Sequence, residues 1–196
     1  MFGKNRSSYR ENSAYSRREI TGAAGYALLG LLSGLLWLGP AFAGQSPGAV
    51  ERTKAAVFDF ELYDTSLEGD LRGENPVETR RLARISALLR TLMAESGRYS
   101  LVDLTPGAKD IAAAGSFRGC NGCDADIAAR LGAALSVTGV VQKVSNLILN
   151  INIYLRDAAT GELTGAMSAD IRGNTDRSWE RGVRWLVKNR LLAQSR

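Results

Sequence analysis

The stretch "LILNINIYL", residues 147–155, constrains this chain more than any other part of its sequence. Leu147, Leu149, Ile151, Ile153 and Leu155 recur at every second position, with Asn150, Asn152 and Tyr154 between them. A two-residue period turns the apolar side chains to one face of a strand and the polar ones to the other. A strand buried on both faces reads instead as a continuous apolar run. The fold must therefore cover one face of a sheet with helices and leave the other face partly wet.

The neighbouring segments fit that frame. "AAVFDFEL" (55–62) also alternates, which predicts Ala56, Phe58, Phe60 and Leu62 on one buried face and Val57, Asp59 and Glu61 on the other. "RYSLVDL" (98–104), "LSVTGVVQKVS" (135–145) and "LTGAMSADIRG" (163–173) read as further strands, and "RDAATGE" (156–162) as a hairpin turn. Gly139 marks a bulge or a close backbone approach. Met167, Ala169 and Ile171 are expected to point inward.

Helices fill the gaps. At Asn75-Pro76-Val77-Glu78, Asn75 fits the N-cap, Pro76 the first turn, and Glu78 a carboxylate reaching back to the cap amide. Leu82, Ile85, Leu88, Leu89, Leu92 and Met93 then form one apolar stripe, Arg80, Arg81, Arg84 and Arg90 fall largely on the solvent side, and Gly97 supplies the stop. "PGAKDIAAAG" (106–115) and "DADIAARLGA" (124–133) are shorter helices, and a last helix starts near Thr175 and buries Trp179, Val183, Leu186 and Val187. The order β-α-β-(α)-α-β-β-β-α makes the first three strands parallel and the last three an antiparallel meander. The expectation is a mixed α/β fold with about five strands, helices mainly on one face, and Asp59, Glu61, Asn150, Asn152, Tyr154 and Asp170 on the wetter one.

The N-terminal region reads as an export signal. Basic residues end at the pair Arg17-Arg18, no charge occurs from Ile20 to Val50, and "YALLGLLSGLLWL" (26–38) is followed by Gly39-Pro40 and the small-x-small site Ala41-Phe42-Ala43. An apolar run of roughly 13 residues is shorter than the ~20 that span a bilayer. "SRREI" (16–20) resembles the twin-arginine export motif, although Thr21 departs from it, and the general route stays open. The expected organisation is a cleaved signal over 1–43, a mature chain from Gly44 with a flexible leader over 44–54, and one α/β domain over 55–193. That domain is long enough to bury a self-sufficient core. The protein is expected in the periplasm, with no stable membrane anchor after cleavage.

The net charge of +5 belongs mostly to the same region. Lys4, Arg6, Arg10, Arg17 and Arg18 face only Glu11 and Glu19 there, so three of the five net charges lie in residues 1–43 and two in the rest. A near-neutral body gives no electrostatic reason to expect nucleic acid as a partner.

The chain has no histidine, which removes Ser-His-Asp and Cys-His catalysis, His-ligated zinc and covalent haem attachment. The usual nucleotide-binding and esterase signatures are missing as well. No cofactor and no metal site is expected. The two cysteines, Cys120 and Cys123, sit in "FRGCNGCDAD" (117–126). In an oxidising compartment such a pair closes as a disulfide. A redox pair at a helix start and a soft-metal site are the alternatives, the first opposed by the charges of Asp124 and Asp126. Glu61, Asp64, Glu68, Asp70 and Glu74 form an acidic loop at the end of the first strand. It is a solvated loop or a weak ligand site, and its spacing does not match an EF-hand. On the last helix Arg177, Arg181, Arg184, Lys188 and Arg190 form a solvated basic face or a contact for an acidic partner or anionic lipid, and Trp185 lies off the buried stripe as a lid or an interface anchor.

"AAVFDFEL", "SGRYSLVD" (96–103), "ARLGAALSVTGVV" (129–141) and "RDAATGEL" (156–163) follow one another in an order that resembles the α/β domain at the N-terminus of the Tol-system propeller protein. Curli-secretion-type and penicillin-binding-protein-activator-type lipoproteins carry the same kind of domain, and the resemblance covers roughly residues 54–192. It implies a domain that binds other envelope proteins and performs no chemistry. The lipidated cysteine of the lipoproteins and the propeller of the Tol protein have no counterpart here, so their anchoring and specific roles are not carried over. The functional expectation is a non-enzymatic periplasmic accessory domain contacting an envelope protein or exported enzyme. Asp59, Glu61, Asp64, Asn150, Asn152, Tyr154 and Trp185 are its candidate contacts. The alternative is a thiol–disulfide or soft-metal protein that uses Cys120 and Cys123 to assist a periplasmic oxidoreductase.

Overall fold

A computed structural model of the chain describes residues 51–193. The export-related residues Arg17, Arg18, Ala41, Ala43 and Gly44 lie outside that range. Within it the strands are β1 (Thr53–Asp64), β2 (Tyr99–Leu101), β3 (Leu135–Lys143), β4 (Ile148–Asp157) and β5 (Leu163–Arg172). The α-helices are α1 (Leu67–Arg72), α2 (Pro76–Glu95), α3 (Ala108–Ala114), α4 (Cys123–Arg130) and α5 (Asp176–Leu186). They build one mixed sheet in the order β2-β1-β3-β4-β5. β1 runs parallel to β2 and β3, while β3, β4 and β5 form the antiparallel meander, as the connection lengths require.

The two long helices, α2 and α5, lie on one face. There Val57, Phe60, Val137, Val141, Leu149, Ile151, Ile153, Met167 and Ile171 meet Ile85, Leu89, Met93, Trp179, Val183 and Leu186 in the main core. α5 is placed by Thr175, whose side chain accepts from Ser178 N–H while the Ser178 hydroxyl accepts from the cap amide. Leu147, expected inward, is 72% exposed because the strand begins at Ile148 and Leu147 falls in the preceding turn.

β1 departs from strict alternation. Val57 pairs with Val137 but Phe60 pairs with Gly139, so β1 carries one extra residue there. The bulge reverses the parity of the strand. Val57 and Phe60 both enter the main core, whereas Ala56 and Phe58 enter a smaller core on the opposite face with Ile127, Ala128, Ala133 and Ala158. The expected grouping of Phe58 with Phe60 is thereby corrected. α2 satisfies the backbone that the bulge frees: Phe60 N–H donates to Ser86 Oγ at 2.8 Å, and Arg90 Nε donates to the Val57 carbonyl at 3.0 Å. Opposite the bulge the Phe60 ring lies over Gly139, where an added Cβ would stand 2.4 Å from ring carbons.

The acidic loop holds a helix that hydrophobic periodicity did not signal. Ser66 caps α1 by accepting from Gly69 N–H at 3.2 Å, and no residue of α1 is buried. Its Leu67 and Leu71 point outward.

The Gly139–Phe60 contact yields a stability prediction. Gly139→Ala should lower the unfolding free energy by roughly 1–3 kcal/mol through overpacking, read as a shift in urea midpoint at constant m. Phe60→Leu in the same background should recover part of the loss.

Candidate functional site

The β3–β4–β5 part of the second face stays polar, as the alternation requires. Register places Gln142, Asn150 and Asp170 in one row, Val140, Asn152 and Ser168 in the next, and Thr138 and Tyr154 beyond them. Glu61 and Tyr63 join these rows from β1, opposite Val140 and Gln142. Phe117 and Arg118, in the 3-10 turn Phe117–Gly119, and Asp124 of α4 wall the face on one side. Together they enclose a cleft of about 330 Å³.

The cleft's charged groups are held by neighbours. Glu61 accepts from Ser116 Oγ and from Phe117 N–H, both at 2.6 Å. Asp124 is buried and accepts from Ser136 Oγ at 2.6 Å, with Arg156 Nε 3.7 Å from its other oxygen. Arg156 donates to the Gly161 carbonyl, and the Arg118 guanidinium stacks 4.0 Å above the Tyr63 ring. Thr138, Gln142, Asn152 and Tyr154 also line the cleft, so a row of hydrogen-bonding side chains meets an incoming group. Next to it Asn150 Nδ2 donates to Asp170 at 2.7 Å and Ser168 Oγ donates to Asn150 Oδ1 at 2.9 Å. A larger hollow of about 1070 Å³ borders Glu51 and Arg52, where the described residues begin.

Of the candidate contacts, Glu61, Asn150, Asn152 and Tyr154 come together on this face. Asp59 sits in the bulge and pairs with Arg90 at 2.9 Å. Asp64 lies on the opposite face, and Trp185 is on α5 in the layer beyond that face, 45% exposed. The cysteine sulfurs are 2.02 Å apart, at disulfide distance. The loop between them places Asn121 at φ 47° and Gly122 at φ 106°, so the permissive position is Gly122; Gly119 has no such conformation. The pair thus closes the turn between the cleft wall at Phe117–Arg118 and α4. Among the described residues no group of three or more His, Cys, Asp or Glu side chains is arranged to hold a metal ion.

A family model described as DUF3280, protein of unknown function (DUF2380), matches residues 53–191. The chain belongs to this family. Its matched region takes in the whole sheet and all five helices. A comparison with curated proteins finds no match. Among solved structures, the LpoB C-terminal domain from Salmonella enterica is similar at 17% identity, over 65% of this chain and 88% of that one, with a TM-score of 0.47. Lipoprotein GNA1162 from Neisseria meningitidis is similar at 13% identity, over 73% and 99%, with a TM-score of 0.46. TolB from Acinetobacter baumannii is similar at 12% identity, over 71% of this chain and 29% of that one, with a TM-score of 0.38. These are distant likenesses, and they assign this DUF3280 chain no partner.

The most heavily buried charges lie on the main-core face, at the end of the sheet. Lys143 is 1% exposed, with Nζ 2.8 Å from Glu78 Oε1, 2.9 Å from Asp64 Oδ2 and 3.8 Å from Glu68 Oε2. Glu78 therefore turns inward instead of closing a capping box, and Asn75 caps α2 alone through Val77 N–H at 2.9 Å. Asn174 links this cluster to α5: it donates to Glu78 and Asn146 and accepts from Arg81 and from the Trp179 indole. Burial opposes the charge on Asp64, but hydrogen bonds from Ser66 and Lys143 outweigh it and hold the carboxyl below the usual range. Burial likewise opposes the Lys143 charge, and the hydrogen bonds and charges of Glu78 and Asp64 outweigh it and raise the ammonium. Sequence reading passed over Lys143 because a lysine ending a strand is ordinarily solvated. The one available signal was the acidic run of Asp64, Glu68 and Glu78 around it.

Lys143→Met should cost about 3–5 kcal/mol, because it strands the buried Glu78 carboxylate and leaves the partly buried Asp64 without its cation. Adding Asp64→Asn and Glu78→Gln should recover most of that loss. The depressed Asp64 contributes stability that is present above its unfolded value of about 3.9 and lost as pH falls through the lower folded value. The raised Lys143 contributes stability that is present below about 10.4 and lost as pH rises through the higher folded value. Denaturant melts should thus give a plateau between roughly pH 5 and 9, with an acid limb that Asp64→Asn flattens.

Proposed function

We propose that this chain is a non-enzymatic interaction domain of the cell envelope, and that it receives a partner protein on the polar face of β3, β4 and β5. The observation that carries the reading is the set of polar side chains Thr138, Gln142, Asn152 and Tyr154 lining a cleft whose charges are already held in place. Glu61, Asp124, Arg118 and Arg156 each have an intramolecular partner, so their side chains are held in fixed orientation. Oriented polar groups of both signs give a docking surface its register and selectivity. The cleft is at the small end of the ~300–1,000 Å³ that ligand pockets occupy, a size for one or two side chains of a partner. The polar ladder from Asn150 through Ser168 and Asp170 extends the surface beyond it. The sequence resemblance to envelope interaction domains points the same way, and the apolar segment 26–38 with Ala41 and Ala43 supplies the route to the periplasm.

Cys120 and Cys123 have a structural part in this reading: their bond holds the turn that carries Phe117 and Arg118 into the cleft wall. So short a loop contributes only about 2 kcal/mol in the chain-entropy model.

Photocrosslinking in cells tests the proposal. A benzoylphenylalanine at Asn152 or Tyr154 should capture one envelope protein, and the same group at Lys109 on α3 should not. Arg at position 152 should abolish capture at 154 in a chain that stays folded. Equal capture at Lys109, or capture unaffected by Asn152→Arg, would overturn it. Capture lost in a folded Cys120→Ser, Cys123→Ser variant at unchanged cleft geometry would favour the thiol reading instead.

A further inference from the structure

The outer face of α5 has no part in that cleft, and it carries a run of exposed basic side chains. At about 100° per residue, Arg177, Arg181, Arg184 and Lys188 fall within roughly 60° of arc. They stand opposite the buried Trp179, Val183 and Leu186. All four are exposed, and among the described residues no carboxylate lies within salt-bridge distance of them. The two acidic residues of α5 are engaged elsewhere: Asp176 is bound by Arg81 and Arg84 at 2.6 and 2.8 Å, and Glu180 lies 3.6 Å from Arg84. Arg84 and Arg81 belong to α2, so the acidic residues of α5 are neutralised across the helix pair and not by the outer face. At its far end Trp185 is 45% exposed, and Arg190, in the π-turn Val187–Leu191, covers its ring at 5.7 Å.

We propose that this face docks on an anionic lipid surface. The cations stand on the convex crest of a helix, and neither cleft described above includes any residue of α5. A protein partner needs complementary relief, whereas a bilayer needs only a line of charge. Each lysine or arginine brought near an anionic leaflet adds to binding, and the gain falls off within a Debye length. Trp185 supplies the other half of the match, since a half-exposed indole beside an arginine suits the headgroup level. Because the apolar side of α5 is committed to the core, the contact is electrostatic and reversible, not insertion.

Sedimentation of the full-length chain with vesicles tests this. Vesicles of equal parts phosphatidylglycerol and phosphatidylcholine should bind roughly ten-fold or more tightly than pure phosphatidylcholine, and salt should erase the difference as the screening length shortens from ~30 to ~8 Å. The variant Arg177→Gln, Arg181→Gln, Arg184→Gln, Lys188→Gln should lose that preference with unchanged circular dichroism, while Arg52→Gln with Lys109→Gln keeps it. Trp185→Ala should weaken binding several-fold. Equal binding to both vesicle types would assign the contact to the apolar segment 26–38 and overturn the proposal. So would a four-site variant that binds as well as the parent, or a parent chain that ignores the vesicles but binds polyglutamate.

Discussion

One ammonium group organises the end of this fold where its parallel strands finish. Lys143 Nζ closes β3 between Asp64 at the end of β1 and Glu78 in the first turn of α2, with Glu68 of α1 nearby. Taking three charges out of water costs several kcal/mol per ion, and their attraction recovers that only when the geometry is met. The net gain is therefore small, but the alternatives are costly. A one-residue slip of β3 against β1 would turn Lys143 to the opposite face and leave Glu78 buried without a cation. Asn174 carries the same constraint to α5, because it holds Glu78 and the Trp179 indole one residue before the Thr175 cap. Register, helix entry and the start of the last helix are thus specified by one hydrogen-bonded group.

The bulge in β1 has an equally wide effect. Without it, alternation would put Phe58 and Phe60 in one core and leave the other side of β1 polar. With it, Phe58 anchors a second small core under α4, packed at a tilt of 49° against Phe117 with 4.5 Å between ring centroids. That core roofs the β1 side of the second face and raises the wall of the cleft. The polar surface over β3 to β5 is what remains uncovered. Ser86 and Arg90 make the bulge possible, the first by accepting from the Phe60 N–H and the second by donating to the Val57 carbonyl.

Much of this was legible in the sequence, for definite reasons. The alternation in 147–155 decided which face of β4 is wet, and it placed Asn150, Asn152 and Tyr154 correctly. Connection lengths decided parallel against antiparallel pairing. Gly139 was recognisable as a site of close approach, yet its partner Phe60 was not, since a bulge leaves no mark on hydrophobic periodicity. Alternation groups Asp59 with Glu61, and the extra residue parts them by leaving Asp59 in the bulge against Arg90; Asp64, three residues beyond Glu61 in the acidic loop, falls on the opposite face. Arg118 and Arg156 escaped notice because their roles depend on a turn and a cross-strand neighbour. Lys143 and Glu78 escaped because burial of an ion pair depends on two helices that meet only in three dimensions.

The arrangement of charge then limits how the domain can be used. The cleft lies on one side of the sheet and the cationic face of α5 on the other, with the main core between them. A partner seated over Asn152 and Tyr154 does not touch Arg177 to Lys188, so the two contacts neither compete nor need a conformational change to coexist. Coupling would require a two-state element linking them. The connection that exists, through Asn174, Glu78 and Lys143, is a fully hydrogen-bonded cluster in one arrangement, which resists switching. If both proposed contacts hold, the affinity of each side should be set independently by the residues exposed there.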